Sequence, residues 1–332
     1  MGIVSINKDF GAPKYKQIVS SIEEAISNGI IKKGDRLPSI NSIRDKHGVS
    51  RDTVLSAFND LKSRGVVQSV AGKGYFVSSE AIHVKQKVFL LFDELNAFKE
   101  DLYSSFLNVL GDNIQVDIFF HHFNYKLFSK LIYDNIGDYS YYVIMPANLK
   151  DTYQVIRNLP SDKVCILDQM HQELEGYTAI YQDFENDIFN NLKKGLDLIK
   201  KYNRLIFVFS EDKQPPGMLL GFLNFVKQFK FEYEIIDSAR NRVPESGEVY
   251  IIPDDRNLIR IIKSNKQTKL KLGRDFGIIS YNDTMLKEIV EGGITAISTD
   301  FNKMGEQLAE LVTNKEYVQI KNPNDLIIRK SL

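Results

Sequence analysis

The chain has 332 residues, of which 43% are hydrophobic and 26% charged, and its formal net charge at pH 7 is zero. This length suits two or three domains, and the composition is ordinary for a soluble globular protein. No apolar run approaches the ~20 residues that a membrane-spanning helix needs. The first ten residues lack the basic segment and apolar core of a signal peptide. We therefore expect a cytoplasmic location and no membrane partner.

The charge is unevenly distributed along the chain. Residues 1–80 carry twelve Lys or Arg and eight Asp or Glu, which gives a net charge of +4 and leaves −4 on the remainder. A basic first segment on a slightly acidic body is typical of a DNA-binding module joined to another domain. The single cysteine, Cys165, has no partner for an internal disulfide, and its apolar neighbours predict a buried core residue.

Residues 1–12 are predicted to form a loose arm, followed by a helix. Pro13 is a favoured first-turn residue, and Asn28-Gly29 predicts the end of the helix. Apolar residues recur at helical spacing between these positions and predict its buried face. They are Tyr15, Ile18, Ile22, Ala25 and Ile26.

Residues 36–77 predict two short helices joined by a tight turn, followed by a β-hairpin. Ser39 suits the cap of the first helix, Gly48 its end, and Ser50 the cap of the second. The second helix has a buried stripe at helical spacing, formed by Val54, Ala57, Phe58 and Leu61. Two short apolar strands then flank residues 71–74. Three helices and a hairpin therefore account for residues 8–78, within a predicted winged helix-turn-helix domain at residues 1–78.

The capped start of the second short helix presents polar side chains outward. They are Ser50, Arg51, Asp52 and Thr53. In a helix-turn-helix this turn of the second helix enters the DNA major groove. Gly72-Lys73-Gly74 at the hairpin tip suits a wing that contacts the DNA backbone. The alternative is a small helical domain with a hairpin and no role in DNA binding.

This stretch resembles the winged helix-turn-helix of the GntR family of transcription factors. The matching residues are Gly34, Arg36-Leu37-Pro38-Ser39, Gly48-Val49-Ser50-Arg51, Thr53-Val54, Leu61, Gly65, Gly72-Lys73-Gly74 and Phe76-Val77. The resemblance covers the first quarter of the chain. It implies that residues 1–78 bind double-stranded operator DNA.

The resemblance implies roles for individual residues. Arg51 matches a position that reads bases, and an arginine can pair with guanine through two hydrogen bonds. Ser39, Ser50 and Thr53 lie at helix starts and suit phosphate contacts. The full predicted DNA-binding set is Arg36, Ser39, Arg44, Ser50, Arg51, Asp52, Thr53, Gly72 and Lys73.

Two departures from the family pattern predict a different operator sequence. Ile40-Asn41 stands where the family often has glutamate and arginine, and Leu55 stands where it often has arginine. We also hypothesise that Asp52 selects a cytosine, because a carboxylate can accept from the cytosine amino group.

Residues 79–86 carry no strong pattern and are predicted to be a linker. From residue 87 onward, short apolar runs alternate with helical segments. Strands are predicted at 88–92, 116–120, 141–145, 164–167, 205–209, 234–236, 249–252 and 277–280, and helices at 98–110, 125–133, 153–157, 185–202, 218–229 and 258–264. This alternation predicts parallel sheets with helices on both faces, in two consecutive α/β lobes.

In such sheets ligands bind beyond the carboxyl ends of the strands. The residues that follow the predicted strands are Asp93, Pro146, Asp168, Asp254, Asn282 and Asp283. We expect this set to line a cleft between the lobes. The alternative for any single position is an ordinary polar loop residue, since Asp and Asn are common in turns.

Residues 87–332 resemble the effector domain of LacI-type repressors, which is related to periplasmic sugar-binding proteins. The matching residues are Gly277-Ile278-Ile279-Ser280-Tyr281-Asn282-Asp283, Ile294-Thr295-Ala296-Ile297, Met304-Gly305 and Leu326-Ile327-Ile328-Arg329-Lys330-Ser331. The resemblance implies chain crossings near Gln182, Ser298 and Tyr317. It places 87–181 and 299–315 in the first lobe, and 182–298 and 316–332 in the second.

The same resemblance implies effector contacts. Asp168 matches an aspartate after the fourth strand, Tyr181 an aromatic position beside the ligand, and Asp254 and Asn282 polar positions at strand ends. Carboxylates and amides bind sugar hydroxyls, and aromatic rings cover the apolar face of a sugar. Met218 completes the predicted effector set. It stands where the relatives usually have an arginine, which argues against their common sugar-clamping geometry.

No enzyme motif is present. Gly72-Lys73-Gly74 lies on a hairpin and is therefore no phosphate loop, and the hydrolase and metalloprotease motifs are missing. His121-His122 has no third ligand nearby in sequence and is interpreted as a pair of surface or loop residues. We expect no metal and no cofactor.

Together these features predict a dimeric transcriptional regulator, by default a repressor. A winged head binds an operator, and a two-lobed body binds a small-molecule effector, most simply a monosaccharide. A homodimer is expected because two recognition helices must reach two half-sites. The alternatives are a constitutive DNA-binding dimer whose body only dimerises, a sensor of a non-sugar ligand, and an enzyme with an autoregulatory head.

Overall fold

The computed structural model describes residues 3–7, 11–79, 86–111, 114–314 and 317–332. The predicted linker at 79–86 lies outside these ranges except for its two end residues, and Gln86 already belongs to a strand. The chain divides into two compact units. The first comprises residues 1–92, 111–144 and 150–165, and the second comprises 93–110, 145–149 and 166–332.

The helices and strands alternate through most of the chain. The described helices are α1 (Lys14–Ser27), α2 (Ile40–His47), α3 (Arg51–Ser63), α4 (Ala97–Val109), α5 (Tyr125–Asp134), α6 (Thr152–Ile156), α7 (Phe184–Lys194), α8 (Leu196–Ile199), α9 (Pro216–Phe229), α10 (Asp255–Asn265), α11 (Met285–Ile289) and α12 (Phe301–Asn314). The described strands are β1 (Val67–Val70), β2 (Gly74–Val77), β3 (Gln86–Phe92), β4 (Ile114–Phe120), β5 (Tyr141–Ile144), β6 (Val164–Asp168), β7 (Thr178–Tyr181), β8 (Arg204–Val208), β9 (Glu232–Ile236), β10 (Glu248–Ile252), β11 (Gly277–Tyr281), β12 (Thr295–Thr299), β13 (Gln319–Lys321) and β14 (Asn324–Ile327).

Residues 14–77 form a winged helix-turn-helix, as the local signals predict. The Ser39 hydroxyl accepts the amide hydrogen of Ser42 at 3.1 Å and caps α2, while Ser50 caps α3 through Thr53 at the same distance. Gly48 ends α2 with a φ of 63°, a backbone conformation that favours glycine. The strands β1 and β2 pair antiparallel to form the wing. The predicted apolar stripes of α1 and α3 are buried in one core.

The prediction of a loose arm is wrong for residues 3–7. Val4 is buried in the core of the head. The backbone amide of Ser5 donates to the Ser21 hydroxyl at 3.2 Å, and that of Asn7 donates to Gln17 Oε1 at 2.9 Å. These bonds hold the segment along α1, which periodicity alone does not reveal because residues 3–7 form no helix or strand.

Within the described residues, the body contains two six-stranded sheets. The first has the strand order β13-β7-β6-β5-β3-β4, and the second has the order β14-β12-β11-β10-β8-β9. The pairings of β3 with β4 and β5, and of β8 with β9 and β10, are parallel. One edge strand, β14, pairs antiparallel with β12. The predicted class of parallel α/β sheets is therefore confirmed, with one antiparallel edge.

The chain passes between the two sheets three times. The first crossing follows β7 at Gln182, and the second follows β12 at Thr299–Asp300, where the sequence predicts crossings near Gln182 and Ser298. The third differs from the predicted boundary near Tyr317. Because β13 pairs in parallel with β7, it extends the first sheet, and the chain crosses at Asn322-Pro323 before β14 joins the second.

Several local predictions need correction. The helix predicted at 185–202 is two helices, because Gly195 ends α7 and α8 begins directly after it. His121, interpreted as a surface or loop residue, is fully buried, whereas Cys165 is buried as predicted. Within the described ranges, no helix has the length and apolarity to cross a membrane.

Candidate DNA-binding and effector-binding sites

The predicted DNA-binding residues lie at one end of α3, on α2 and on the wing. Arg36, Ser39, Ser50, Arg51, Asp52, Gly72 and Lys73 are exposed, while Arg44 and Thr53 are half-buried. Arg51 and Asp52 occupy the first turn of α3, directly after the Ser50 cap. The carboxylate of Asp52 is favourably placed there because the N-terminus of a helix carries partial positive charge.

The wing and the segment before α2 are joined by Arg36. This residue forms a β-bridge with Phe76, and its guanidinium lies over Gly74, where an added Cβ would be 3.5 Å from Nε. The Leu37 amide also donates to the Tyr75 carbonyl at 2.9 Å. Arg36 is therefore held beside the hairpin tip that carries Lys73.

Some of the predicted phosphate-binding groups already have partners. The hydroxyls of Ser50 and Thr53 lie 2.8 Å apart, so one of them donates to the other. The Arg44 Nε donates to the neighbouring Asp45 at 2.7 Å, and both side chains stay largely exposed. These groups need to rearrange only locally to reach a phosphate, since exposed ion pairs contribute little stability.

In the second unit, Asp93 forms a buried ion pair with Lys99. The side chains are 9% and 5% exposed. Asp93 Oδ1 also accepts the Glu94 amide at 2.6 Å. Burial lowers the pKa of Lys99 to about 8, and the charge of Asp168 opposes this shift. Asp93, Lys99 and Asp168 thus form one charged group at the strand ends, with two carboxylates around one ammonium.

Asp168 has a second polar neighbour in Gln182, at the first crossing. Gln182 Nε2 donates to Asp168, and Gln182 Oε1 accepts from the hydroxyls of Tyr281 and Thr299. Burial raises the pKa of Tyr281 far above its usual range, so its hydroxyl remains a donor. Asp168 itself is half-buried and has a φ of 75°, an unusual conformation for a residue other than glycine.

The segment after β5 is bonded to two loops of the second unit. Pro146 is buried, and its carbonyl accepts the Leu149 amide at 3.3 Å. Asn148 Nδ2 donates to the carbonyl of Gln214, which precedes α9, and Asn148 Oδ1 accepts from Gln169, each at 2.9 Å. Asn148 therefore connects residues after β5, β6 and β8.

Asp254, Asn282 and Asp283 surround a second buried lysine, Lys287. Its ammonium donates to the carbonyls of Tyr281 and Asn282 and pairs with Asp255 at 3.0 Å. Burial lowers the pKa of Lys287, and the charges of Asp255, Asp283 and Asp254 oppose this.

The carboxylates of Asp254 and Asp283 are occupied. Both oxygens of Asp254 accept from Asn257, at 2.9 and 2.7 Å, which caps α10. Asp283 receives two hydrogen bonds of 2.7 Å from Arg329. Asn282 differs, because its Oδ1 has no hydrogen-bond donor among the described residues. Of these three, Asn282 has the acceptor best suited to a ligand.

The two remaining residues of the predicted effector set are Tyr181 and Met218. Tyr181 ends β7, is half-buried, and accepts the Asn322 amide with its carbonyl at 2.8 Å. Met218 is 2% exposed and packs in the apolar core of the second sheet with Phe222 and Phe207. Met218 therefore has a packing role in that core. This corrects its prediction as an effector contact.

The sequence-based set omitted Lys99, Gln182, Asn148 and Lys287. Gln182 was recoverable by the same rule as Asp168, because it directly follows a strand. Lys99 lies two residues inside a helix that begins just after Asp93, where a lysine is usually solvated. No local pattern distinguishes such a lysine from an exposed one. Among the described residues, no group of three or more His, Cys, Asp or Glu is arranged to hold a metal.

The winged helix matches a family of bacterial regulatory proteins. Residues 14–77 match the family described as bacterial regulatory proteins, gntR family. Over 82 residues the chain is 35% identical to the mannosyl-D-glycerate transport/metabolism system repressor MngR of Escherichia coli. This match covers 25% of the chain and 34% of MngR, so the chain spans about a third of that relative.

The body has the fold of LacI-type regulators. The structure is similar to a LacI family transcriptional regulator from Silicibacter pomeroyi, with a TM-score of 0.64 and 12% identity, over 74% of this chain and 98% of that one. It is also similar to the trehalose repressor of Escherichia coli, with a TM-score of 0.61 and 13% identity, over 73% of this chain and all of that one. The chain thus combines a segment that matches the gntR family model with a body whose fold is similar to that of LacI-type regulators.

The buried pair at the strand ends generates a first prediction. Lys99→Met leaves the Asp93 carboxylate buried without its counter-ion, so we expect a loss of about 3–5 kcal/mol in the free energy of unfolding. The double variant D93N/K99M, which buries no charge there, should recover at least half of the loss. Urea denaturation followed by circular dichroism measures both.

The matched control is Lys130→Met. Lys130 pairs with Asp134, but these side chains are 70% and 55% exposed. The free energy of unfolding of this variant should fall by less than about 0.5 kcal/mol, as is usual for surface ion pairs. Equal losses for Lys99→Met and Lys130→Met would contradict the assignment of a buried pair.

Proposed function

We propose that this protein is a sequence-specific DNA-binding transcriptional regulator, by default a repressor, whose body binds a small-molecule effector. The proposed effector is a monosaccharide. The observation that carries the proposal is the exposed, capped start of α3 in a winged helix-turn-helix with a lysine at the tip of its wing, on a chain whose body has the fold of a LacI family transcriptional regulator. The protein acts by binding, with no catalytic step, no cofactor and no metal.

For DNA, the proposed reading residue is Arg51. It is exposed on the first turn of α3, the turn that enters the major groove in this motif. Arg36 and Lys73 lie together at the wing, where positive charge suits phosphate contacts. Ser39 and Ser50 add hydroxyls at two helix N-termini.

For the effector, the proposed contacts are Asp168, Asn282 and the Asp93–Lys99 pair. These groups follow β6, β11 and β3, at the strand ends where α/β sheets bind ligands. Carboxylate and amide oxygens accept hydrogen bonds from sugar hydroxyls. MngR is named for a sugar derivative and the trehalose repressor for a disaccharide, which supports the choice of sugars as a starting class.

Asp168 is linked to the chain crossings by the hydrogen bonds of Gln182. Gln182 is bonded to Asp168 and, through its other side-chain atom, to Tyr281 and Thr299. A ligand hydroxyl that donates to Asp168 competes with Gln182 for the carboxylate. The proposed regulation follows from this competition, since an effector shifts an equilibrium by its differential affinity for two arrangements.

A homodimer is part of the proposal. On α11, Met285 is 84% exposed, Leu286 54% and Ile289 76%, which is an unusual concentration of apolar surface on five residues. Exposed apolar patches mark interaction surfaces. Two copies of the head are needed to contact two half-sites about one helical turn apart.

The DNA proposal predicts that Arg51→Ala loses sequence discrimination. After a randomised-site selection has defined the operator, Arg51→Ala should bind it more weakly by about 1–3 kcal/mol, while its affinity for shuffled DNA changes less. Fluorescence anisotropy with both DNAs measures the two affinities. Lys62→Ala is the matched control, since Lys62 is an exposed cation at the other end of α3.

If Arg51→Ala and Lys62→Ala both reduce the affinity for operator and for shuffled DNA to the same extent, Arg51 makes no base-specific contact. The same selection tests Asp52. Asp52→Ala should relax the preference for cytosine at one position of the site, and an unchanged base preference would reject that role.

The effector proposal predicts stabilisation by one sugar class. A thermal-shift screen should cover neutral pentoses, hexoses, deoxyhexoses, sugar acids and sugar phosphates. A ligand at about a hundred times its Kd adds about 2.7 kcal/mol of stability. We expect the shift to vanish in Asp168→Ala and to persist in Asp212→Ala, an exposed aspartate between β8 and α9.

The identified sugar should then change operator affinity about 5- to 150-fold. An operator affinity that is indifferent to every stabilising ligand would favour the constitutive dimer. A complete absence of shifts, with DNA binding intact, would favour an effector that is not a sugar.

The dimer proposal predicts that M285S/I289S dissociates at protein concentrations where the wild type is dimeric. Sedimentation equilibrium measures the association constant of each. The matched control is L107S/V109S, because Leu107 and Val109 are apolar residues of α4 that are 40% and 50% exposed. If the two double variants associate equally well, α11 is not the interface.

A further inference from the structure

Residues 256–274 carry a concentrated positive charge. They include seven Lys or Arg and no Asp or Glu, whereas the rest of residues 81–332 has twenty-four Lys or Arg against thirty-five Asp or Glu. The stretch comprises most of α10 and the segment that leads to β11. A block of like charge on an otherwise acidic body is typical of a surface that binds a partner of opposite charge.

Five lysines from three parts of the chain meet at the end of this stretch. Lys201 Nζ donates to the Gly273 carbonyl at 2.8 Å. Gly273 in turn lies against the Lys330 carbonyl, which occupies the place that a Cβ at position 273 would take. With the lysines between α10 and Gly273 they form a group that we call the lysine surface: Lys201, Lys266, Lys269, Lys271 and Lys330.

The charges of the lysine surface are accessible. All five residues are exposed, and none forms an ion pair within the described parts of the chain. Two nearby acidic residues are already paired, Asp275 with Arg274 at 2.9 Å and Asp197 with Lys200 at 3.2 Å. The lysine surface therefore presents five positive charges that an external anion can reach.

The backbone between α10 and β11 is held by hydrogen bonds. Asn265 Nδ2 donates to the Leu270 carbonyl at 3.2 Å, and the Lys271 amide donates to Asp275 Oδ2 at 2.8 Å. Leu270 and Leu272 pack against the core of the second sheet, so the lysines that alternate with them project into solvent. Because the fold fixes this backbone before any partner binds, less conformational entropy is lost on binding.

The lysine surface lies at the amino ends of strands of the second sheet. Lys201 precedes β8 and Lys271 precedes β11, and both strands run parallel to β10 between them. The proposed effector contact Asn282 follows β11, at the opposite end of that strand. The lysine surface is therefore separate from the effector contacts of the same unit.

The composition of the stretch restricts the partner. Residues 263–274 contain no aromatic side chain that could stack on unpaired bases. Their two apolar side chains, Leu270 and Leu272, pack inward, which leaves none to insert into a lipid interface. A lysine is a compact charge that binds phosphate without reading sequence. The phosphate backbone of double-stranded DNA is a dense, regular array of such groups.

We propose that the lysine surface is a second DNA-binding site, which binds the phosphate backbone of a duplex without regard to its sequence. The head belongs to the other compact unit, so the two sites use different residues. A chain that binds operator with its head and a second duplex with its body bridges two DNA segments, a consequence that rests on the proposed function. Binding of a duplex to the lysine surface itself does not depend on that function.

The first experiment measures the affinity of the full chain for a duplex of shuffled sequence, by fluorescence anisotropy over a range of salt concentrations. Every protein carries R51A/K73A, which weakens the proposed contacts of the head. In this background K266Q/K269Q/K271Q should weaken binding at least about tenfold at low salt. It should also lower the slope of log Kd against log salt concentration by about 2.7, since each phosphate contact contributes about 0.9.

The matched control is K193Q/K213Q/K227Q in the same background. These three lysines are exposed, lie on other segments of the second unit, and form no ion pair within the described residues. Both triple variants remove the same charge, so a difference between them reports on position and not on net charge. The control should keep the affinity and the salt dependence of the background protein, and thermal denaturation shows that each variant is folded.

A bridging assay tests the consequence for regulation. The protein with an intact head is bound to immobilised operator, and a labelled duplex without operator is added. The wild type and K193Q/K213Q/K227Q should retain the label, whereas K266Q/K269Q/K271Q should bind the operator and retain less of it. If no protein binds an operator, the proposed function fails, while the titration with shuffled DNA still decides whether the lysine surface binds a duplex.

Two results would overturn the proposal. One is an equal affinity and an equal salt dependence of the two triple variants for shuffled DNA. The other comes from parallel titrations with polyglutamate and with vesicles of phosphatidylcholine and phosphatidylserine. If K266Q/K269Q/K271Q loses binding to one of these but not to the duplex, the lysine surface serves an acidic protein or a membrane instead of DNA.

Discussion

The three segments that cross between the sheets are joined to one another by hydrogen bonds. The Asn322 amide donates to the Tyr181 carbonyl at 2.8 Å, its side chain donates to Asp300, and the Asp300 amide donates to Pro323 at 3.0 Å. A buried backbone group without a partner is costly, so three adjacent crossings form a stable arrangement only as a bonded set. The position of Gln182, and through it Asp168, depends on this set.

Much of the fold follows from local sequence signals. The caps Ser39 and Ser50, the glycine at position 48 and the apolar stripe of α3 predict the head because each acts within a few residues. The body strands 88–92 and 249–252 are short, continuous apolar runs, which are typical of strands buried on both faces of a parallel sheet. The strand β13 escaped prediction because it has three residues with exposed, polar ends, and only its pairing with β7 assigns it to the first sheet.

The candidate effector site was predicted only as a set of positions. The rule of strand ends selected Asp93 and Asp168 as candidates, but it did not reveal that each has a partner, Lys99 or Gln182. Such partners come from tertiary contacts, which single-sequence patterns do not encode. Met218 illustrates the opposite error, since a position inferred by analogy with relatives is occupied here by a core side chain.

Within the first unit, the head is held by ion pairs that do not involve its proposed DNA-binding residues. Lys16 at one end of α1 pairs with Asp138, and Glu24 near the other end accepts from Lys163 at 2.7 Å. The signs of the two pairs are opposite, so a reversed orientation of α1 would bring like charges together. Arg51 and Lys73 take part in neither pair and remain exposed. The contacts that orient the head and the groups proposed to bind DNA are therefore separate, and a change in one set need not disturb the chemistry of the other.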